Sequence, residues 1–211
     1  MINIISPINQ LGYGIAGFNI CKALSEQTDV ALWPISEPSV TNQNDADYVR
    51  ELMANNVLFD PNAPCIRIWH QHDMAQFVGK GVHVGFPIFE LDTFTEVEKH
   101  HLSSCDGLFV CSEWAKGVVM DQVPKDRVHV IPLGVDTRVF TGDMLRVLPD
   151  SRPSSTIFFN CGKWEVRKGH DVLIEAFKKA FPGDEDVQLW MMCQNPFNSP
   201  DENKQWHDKY D

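Results

Sequence analysis

Short apolar runs alternate with helix-period segments along most of this chain, and that alternation restricts the fold more than any other feature. "INIISPI" reads as a strand. The helical pattern "GIAGFNICKALSE" follows, with Ala16, Ile20, Ala23 and Leu24 on one face. "DVALWPI" is a second strand, "DADYVRELMANN" a helix and "PCIRIWH" a third strand. "KGVHVGFPIFE" is a further strand in which Pro87 marks an edge or a bend. "TEVEKHHLSSC" is helical, with Thr93 or Thr95 as its cap. "GLFVCS", "EWAKGVVMDQ" and "RVHVIPLG" then read as strand, helix and strand. Regular alternation of this kind predicts an α/β domain, doubly wound, with a parallel sheet and helices on both faces.

The pattern breaks at "VDTRVFTGDMLRVLPDSRPSS", which is polar, contains proline and lacks a period. It restarts with strand "TIFFNCG", helix "GHDVLIEAFKKAF" and strand "VQLWMMCQ". The boundaries expected are a first domain over 1–140, a linker over 141–155 and a second α/β domain over 156–211. That last stretch is shorter than the roughly 100 residues of a usual domain. The second domain therefore reads as incomplete: either the chain is a piece of a longer protein, or its polar tail "NPFNSPDENKQWHDKYD" packs on the first domain.

Composition excludes some classes. The chain of 211 residues is 43% hydrophobic and 22% charged, which suits a protein with a buried core, and its formal net charge is −11. So acidic a chain is a poor partner for nucleic acid or an anionic membrane. An anionic ligand would need a local basic site. The six cysteines form no CxxC pair, and several sit in apolar runs, so they read as reduced, buried thiols of a cytoplasmic protein. The start carries no signal-peptide pattern, and no apolar run approaches the roughly 20 residues of a membrane span.

Several motifs carry candidate chemistry. "LGYGIAG" spells Gly-x-Gly-x-x-Gly over Gly12, Gly14 and Gly17. Glycines let backbone N–H groups approach a phosphate, and the following helix N-terminus adds positive potential. Glu37, at the end of the second strand, stands where a ribose-binding acid of a dinucleotide site belongs. Yet Ile8 to Leu11 separate the strand from Gly12, so three readings stay open: a dinucleotide, a nucleotide sugar, or a structural turn. "CGKWEVRKGHDVL" places Lys163, Arg167 and Lys168 between a strand and the helix opened by Gly169. That is an anion site suited to a diphosphate, or else a solvated basic turn.

"HQHD", His70 to Asp73, follows a strand and reads as half of a metal site or as a histidine lining a cleft. The other histidines show no matching ligand spacing, so no metal is expected. Glu90 in "FPIFELD" ends a strand at the ligand-binding edge of a doubly wound sheet and serves equally as a helix cap or a substrate contact. Ser112 in "CSEW" lacks a nucleophile elbow and reads as a helix cap.

Two of these segments, in order, resemble the signatures of glycosyltransferase family four. "VHVIPLGVDTRVF" (128–140) resembles V-x-V-I-P-x-G-V-D-x-x-x-F. "NCGKWEVRKGHDVLIEAF" (160–177) resembles G-[RK]-x-x-x-x-K-G-x-x-x-L-I-x-A-F. "GLFVCSEWAKGVV", preceded by Asp106, is similar to a third family segment. The likeness runs over nearly the whole chain.

The resemblance implies a GT-B type fold of two Rossmann-like domains, and transfer of a sugar from a nucleotide-diphosphate sugar to a glycan or small-molecule acceptor. It implies retention at the anomeric carbon and no catalytic metal or other cofactor. Lys163 falls at the diphosphate position, where relatives usually carry Arg, and Lys168 at the Lys of the Lys-Gly pair. Gly12 and Gly14 fall on the first-domain glycine loop. Glu90 takes the strand-end position of a donor-sugar contact, and His72, after the preceding strand, is a second candidate. The family's Glu-x7-Glu motif has no counterpart in the second domain. Glu90 and Glu98 have that spacing but lie in the first. A chain ending at Asp211 is expected to bind donor weakly and turn over little. A non-catalytic nucleotide- or glycan-binding module and an NAD(P)-dependent oxidoreductase remain the alternatives.

Overall fold

The structure is a computed structural model and describes residues 1–120, 122–123, 125–141 and 155–210. Of the expected linker 141–155, residues 142–154 lie outside the described residues. The chain divides into two compact units, Met1–Phe140 and Thr141–Asp211.

The first unit is a six-stranded sheet flanked by helices, a Rossmann-like α/β arrangement. In chain order it comprises β1 (Ile2–Ser6), α1 (Gly12–Ser25), β2 (Val30–Pro34), α2 (Gln43–Ala54), β3 (Cys65–Trp69) and β4 (His83–Pro87). There follow α3 (Glu96–Ser103), β5 (Gly107–Val110), α4 (Glu113–Val119) and β6 (Val128–Val130). The strand order is β2-β1-β3-β4-β5-β6, and every pairing is parallel. The chain leaves β1 toward β2 on one side and returns to β3 on the other. The gap beyond the carboxyl ends of β1 and β3 is thus the topological switch point, where doubly wound sheets hold ligands.

Strand alternation sends neighbouring residues to opposite faces, and each face has its own core. Leu108, Val110 and Val128 pack with Leu102 of α3 and with Ala115 and Val119 of α4. On the other face Ile4, Leu32, Ile68 and Phe86 pack with Cys21 of α1 and with Val49 and Leu52 of α2. Burying each such aliphatic side chain contributes about 1.5–3 kcal/mol. Pro87 is the last residue of β4, which lies between β3 and β5, so it ends an interior strand and does not mark an edge. Its missing N–H therefore interrupts no ladder beyond the strand end.

Helix starts follow local chemistry. Asn42 caps α2, its side chain accepting from Asp45 N at 2.9 Å. Thr95 and Glu98 form a reciprocal capping box on α3. Ser112 caps α4, accepting from Ala115 N at 3.2 Å. The buried row of α1 is Gly14, Gly17 and Cys21, while Ala23 is exposed. The helix turns its smallest residues to the sheet because it lies too close for side chains. A Cβ on Gly17 would strike the Ser6 side chain and come 3.0 Å from the Pro7 carbonyl oxygen.

The second unit pairs β7 (Thr156–Gly162) with β8 (Val187–Cys193) in parallel, joined through α5 (His170–Ala180). Phe158 of β7 packs on Phe177 and Phe181, with ring centroids 5.9 and 5.4 Å apart. The polar tail is not irregular. It forms α6 (Pro200–Tyr210), started by a reciprocal Ser199–Glu202 pair at 2.7 and 3.3 Å. Trp206 and Tyr210 of α6 stack on buried Trp164 at 5.9 and 5.7 Å. Asn195 and Asn203 knit the loop before α6: Asn203 accepts from Asn195 N at 2.9 Å, and Asn195 donates to Trp164 O at 3.0 Å.

Candidate functional site

The glycine motif lies within the first turns of α1 and not in a loop ahead of it. Leu11 is the N-cap, no side chain caps the helix, and its first turn carries no acidic residue. The loop before it is shaped by Asn9, whose Oδ1 accepts from Leu11 N at 2.9 Å. The first N–H groups of α1 thus open at the switch point with the helix dipole behind them, a setting that favours an anion. Gly12 is exposed, and a Cβ there would meet nothing within 4 Å. Gly14 is buried, and a Cβ there would overlap the backbone and side chain of Asn9. Gly14 is therefore required by packing, whatever binds.

Tyr13, between those glycines, reaches across the switch point. Its hydroxyl lies 3.3 Å from His70 Nδ1 and 3.3 Å from the Ile88 carbonyl oxygen. Its ring meets Trp69 at 5.4 Å and His70 at 4.6 Å, and His70 stacks on His72 at 5.2 Å with planes 14° apart. Burial pushes the Tyr13 phenol above its usual range, helped by the nearby charge of Glu90 and by Cys111. Burial also pushes the His70 imidazole down, with His72 adding to the effect, so His70 is neutral around pH 7. The first turn of α1, the end of β3 and the segments that follow β3 and β4 together present a strip of ring faces, imidazole and carboxylate.

Among the expected site residues, His72 and Glu90 both stand exposed on this strip, His72 against His70 and Glu90 within electrostatic reach of Tyr13. The turn carrying His72, Gln71–Asp73, is held from below. Arg67, buried on β3, donates to the Asp73 carboxylate at 2.5 Å and to the Asp73 carbonyl. Gln71 Nε2 donates to Glu98 Oε1 at 2.7 Å. Asp73 is thus engaged by a guanidinium and not grouped with the two histidines. No group of three or more His, Cys, Asp or Glu is placed to hold a metal ion among the described residues. Glu98 is occupied in the capping box and on Gln71, so its spacing from Glu90 has a structural origin.

Glu37 is exposed, beyond the end of β2. Asp106 serves the opposite, amino edge of the sheet, accepting from His83 N at 2.8 Å.

In the second unit the basic run folds as strand, turn and helix. Lys163 follows β7. Val166–Lys168 make one tight turn. Gly169, at φ 65° and ψ 32°, is the N-cap of α5 without a side-chain cap. Only glycine adopts that left-handed backbone without strain. Glu165 sits amid the cations: Lys163 Nζ lies 2.8 Å from one carboxylate oxygen and Arg167 Nε 2.9 Å from the other. The Lys163 hydrogen bond, with the charges of Arg167 and Lys168, holds the Glu165 carboxyl below its usual range. Lys163 Nζ also lies 4.9 Å over the Phe197 ring. Exposed Lys168 precedes the helix start.

No protein-family model matches the chain, and no curated protein matches it.

Tyr13 and Glu165 are functional candidates that residue patterns alone do not single out, and His70 is one that they show only as a histidine of a metal site or of a cleft. Tyr13 hides between glycines read for their backbones. The residue pattern shows His70 after a strand but not its contact with Tyr13. Glu165 looks like an interruption of a basic run. For Tyr13 and His70 the signal is a contact across 57 residues, whereas Glu165 is marked by ion pairs to its near neighbours Lys163 and Arg167.

No helix among the described residues is long and apolar enough to cross a membrane.

Proposed function

We propose that the chain is the acceptor-side unit and the opening of the donor-side unit of a GT-B type, retaining glycosyltransferase that uses a nucleotide-diphosphate sugar. The observation that carries this reading is the Lys-Trp-Glu-Val-Arg-Lys-Gly run, folded as strand, turn and uncapped helix start, with Lys163 and Lys168 beside the N-terminus of α5. Breaking a sugar–diphosphate bond builds negative charge on the leaving diphosphate. Preset cations and helix N–H groups stabilise such charge without reorganising. In this reading Lys163 and Lys168 of the second unit hold the diphosphate, and Gly12 at the α1 N-terminus is a substrate-binding position of the first unit. His72 and Glu90 contact the sugar, and no metal or other cofactor takes part. Lys at 163 supplies a point charge, where Arg would supply a planar fork.

Binding decides it. Calorimetric titration of the chain with UDP-, GDP- and ADP-sugars should give heat with at least one, and none with NAD or NADP. Reversing both charges, Lys163→Glu with Lys168→Glu, should abolish that binding. Unchanged binding in the double variant removes the diphosphate assignment, and binding of NAD or NADP alone turns the reading to a dehydrogenase.

A further inference from the structure

The switch-point geometry also sets where a proton sits. The Tyr13 hydroxyl has one proton and two neighbours, each at 3.3 Å: the Ile88 carbonyl oxygen and His70 Nδ1. A carbonyl oxygen only accepts, whereas an imidazole nitrogen donates or accepts according to its tautomer. Both contacts are satisfied in one arrangement alone. The hydroxyl donates to Ile88 and accepts from a protonated Nδ1. In neutral imidazole, a proton on Nδ1 leaves Nε2 with a lone pair. Among the described residues His70 Nε2 has no hydrogen-bond partner, and it is not sealed from solvent.

The ring cannot turn freely. Trp69 packs at 4.7 Å on His70 and Tyr13 at 4.6 Å, while His72 stacks on it at 5.2 Å. The acceptor nitrogen is therefore presented in a fixed direction at the edge where doubly wound sheets bind ligands.

We infer that Tyr13 is a positioning residue that fixes His70 as its Nδ1–H tautomer, making His70 Nε2 the acceptor for a hydroxyl of the ligand bound at the switch point. The ligand class this selects is a polyol such as a sugar, because a lone pair flanked by ring faces suits a hydroxyl beside a C–H surface. The ligand half rests on the nucleotide-sugar reading above. The tautomer half stands on the contacts of the Tyr13 hydroxyl alone. The lowered affinity of His70 for protons, caused by burial and by His72, keeps Nε2 unprotonated at neutral pH.

The experiment is NMR of the chain labelled with nitrogen-15 in its histidine rings. Tyr13→Phe serves as the comparison variant, since it keeps the ring and its packing and removes only the hydroxyl. In the parent chain, above the imidazole titration, His70 should show a pyrrole-type Nδ1 and a pyridine-type Nε2. In Tyr13→Phe, with the amide spectrum otherwise retained, the two signals should move toward the opposite tautomer or a mixture. A pyrrole-type Nε2 in the parent, or a His70 pattern unchanged by Tyr13→Phe, overturns the positioning claim.

The ligand half is read with UDP-glucose and UDP as probes. UDP-glucose should shift Nε2 and UDP should not. His70→Ala should weaken UDP-glucose by about fivefold, the worth of one ordinary hydrogen bond, while leaving UDP unchanged. Binding of UDP-glucose without a shift at Nε2 overturns the ligand half. Binding of neither probe overturns that half together with the UDP form of the nucleotide-sugar reading, while the apo spectrum still decides the tautomer.

Discussion

Arg67 and Asp73 form a buried pair between strand and turn: the guanidinium of β3 meets the carboxylate at 2.5 Å and also takes the Asp73 carbonyl. The Arg67 side chain is only 4% exposed and that of Asp73 22%. The pair ties the turn that carries His72 to the sheet, and so links the ends of β3 to the candidate site.

Removing the acid alone strands a buried cation. Asp73→Ala should cost about 3 kcal/mol, the lower end for a broken buried pair, because Asp73 keeps some solvent contact. Arg67→Met combined with Asp73→Ala should recover a large part of that loss. Urea unfolding midpoints across the double-mutant cycle check this. Additive losses would mean that the two side chains do not interact.

Gly12 and Gly14 separate binding from packing. Gly14→Ala forces a methyl into Asn9 and should destabilise the first unit by about 1–3 kcal/mol. Gly12→Ala has open space and should leave stability within about 0.5 kcal/mol. Thermal melts report both. Gly12 is consequently the position at which a larger side chain tests ligand approach without disturbing the fold.

Glu165 competes with any anion for Lys163 and Arg167. Glu165→Gln removes that competitor and should tighten nucleotide diphosphate binding by roughly two- to fivefold, in keeping with an ion pair at a partly exposed site. Titration with UDP at two salt concentrations measures it. Weaker binding in Glu165→Gln would instead make Glu165 an organiser of the basic turn.

The thiols give a pH dependence. All six cysteines are free. Cys21, Cys65 and Cys105 are buried, and Cys161 is exposed, contrary to the expectation that all would be covered. Burial raises the Cys21 thiol from 9.0 to about 12 and the Cys105 thiol from 9.0 to about 11. Above pH 9 the unfolded chain loses these protons while the folded chain keeps them. Stability is therefore full below that pH and falls as pH rises toward about 11, by up to ~1.4 kcal/mol per pH unit for each thiol. Urea midpoints from neutral pH to pH 10 should fall in the parent and flatten in Cys21→Ala with Cys105→Ala. Native alkylation should label Cys161 ahead of either buried thiol.

Much of the fold was legible. The alternation of apolar runs located every strand, since parallel strands covered on both faces read as continuous apolar stretches. Ser112 was legible as a cap, and Thr95 as one of two candidates beside Thr93, because capping is a local contact. The helix α6 was missed although Ser199, Pro200 and Glu202 spell a helix start, since its low apolar content outweighed that signal. The candidate site was legible as positions but not as an arrangement. His72 and Glu90 were legible as residues near strand ends, although each lies three residues beyond its strand, after Trp69 and Pro87. Tyr13 and His70, 57 residues apart, meet only because β1 and β3 are neighbours.

The sequence by itself determined the α/β class, the parallel sheet and the basic run before α5, because periodicity, capping and charge act within a few residues. Tertiary structure alone decided which glycine is bound by packing and which is free to face a ligand. It also decided that Asp73 belongs to Arg67 and that Tyr13 touches His70. These depend on the order of strands in the sheet, and strand order brings together residues that no local interaction relates.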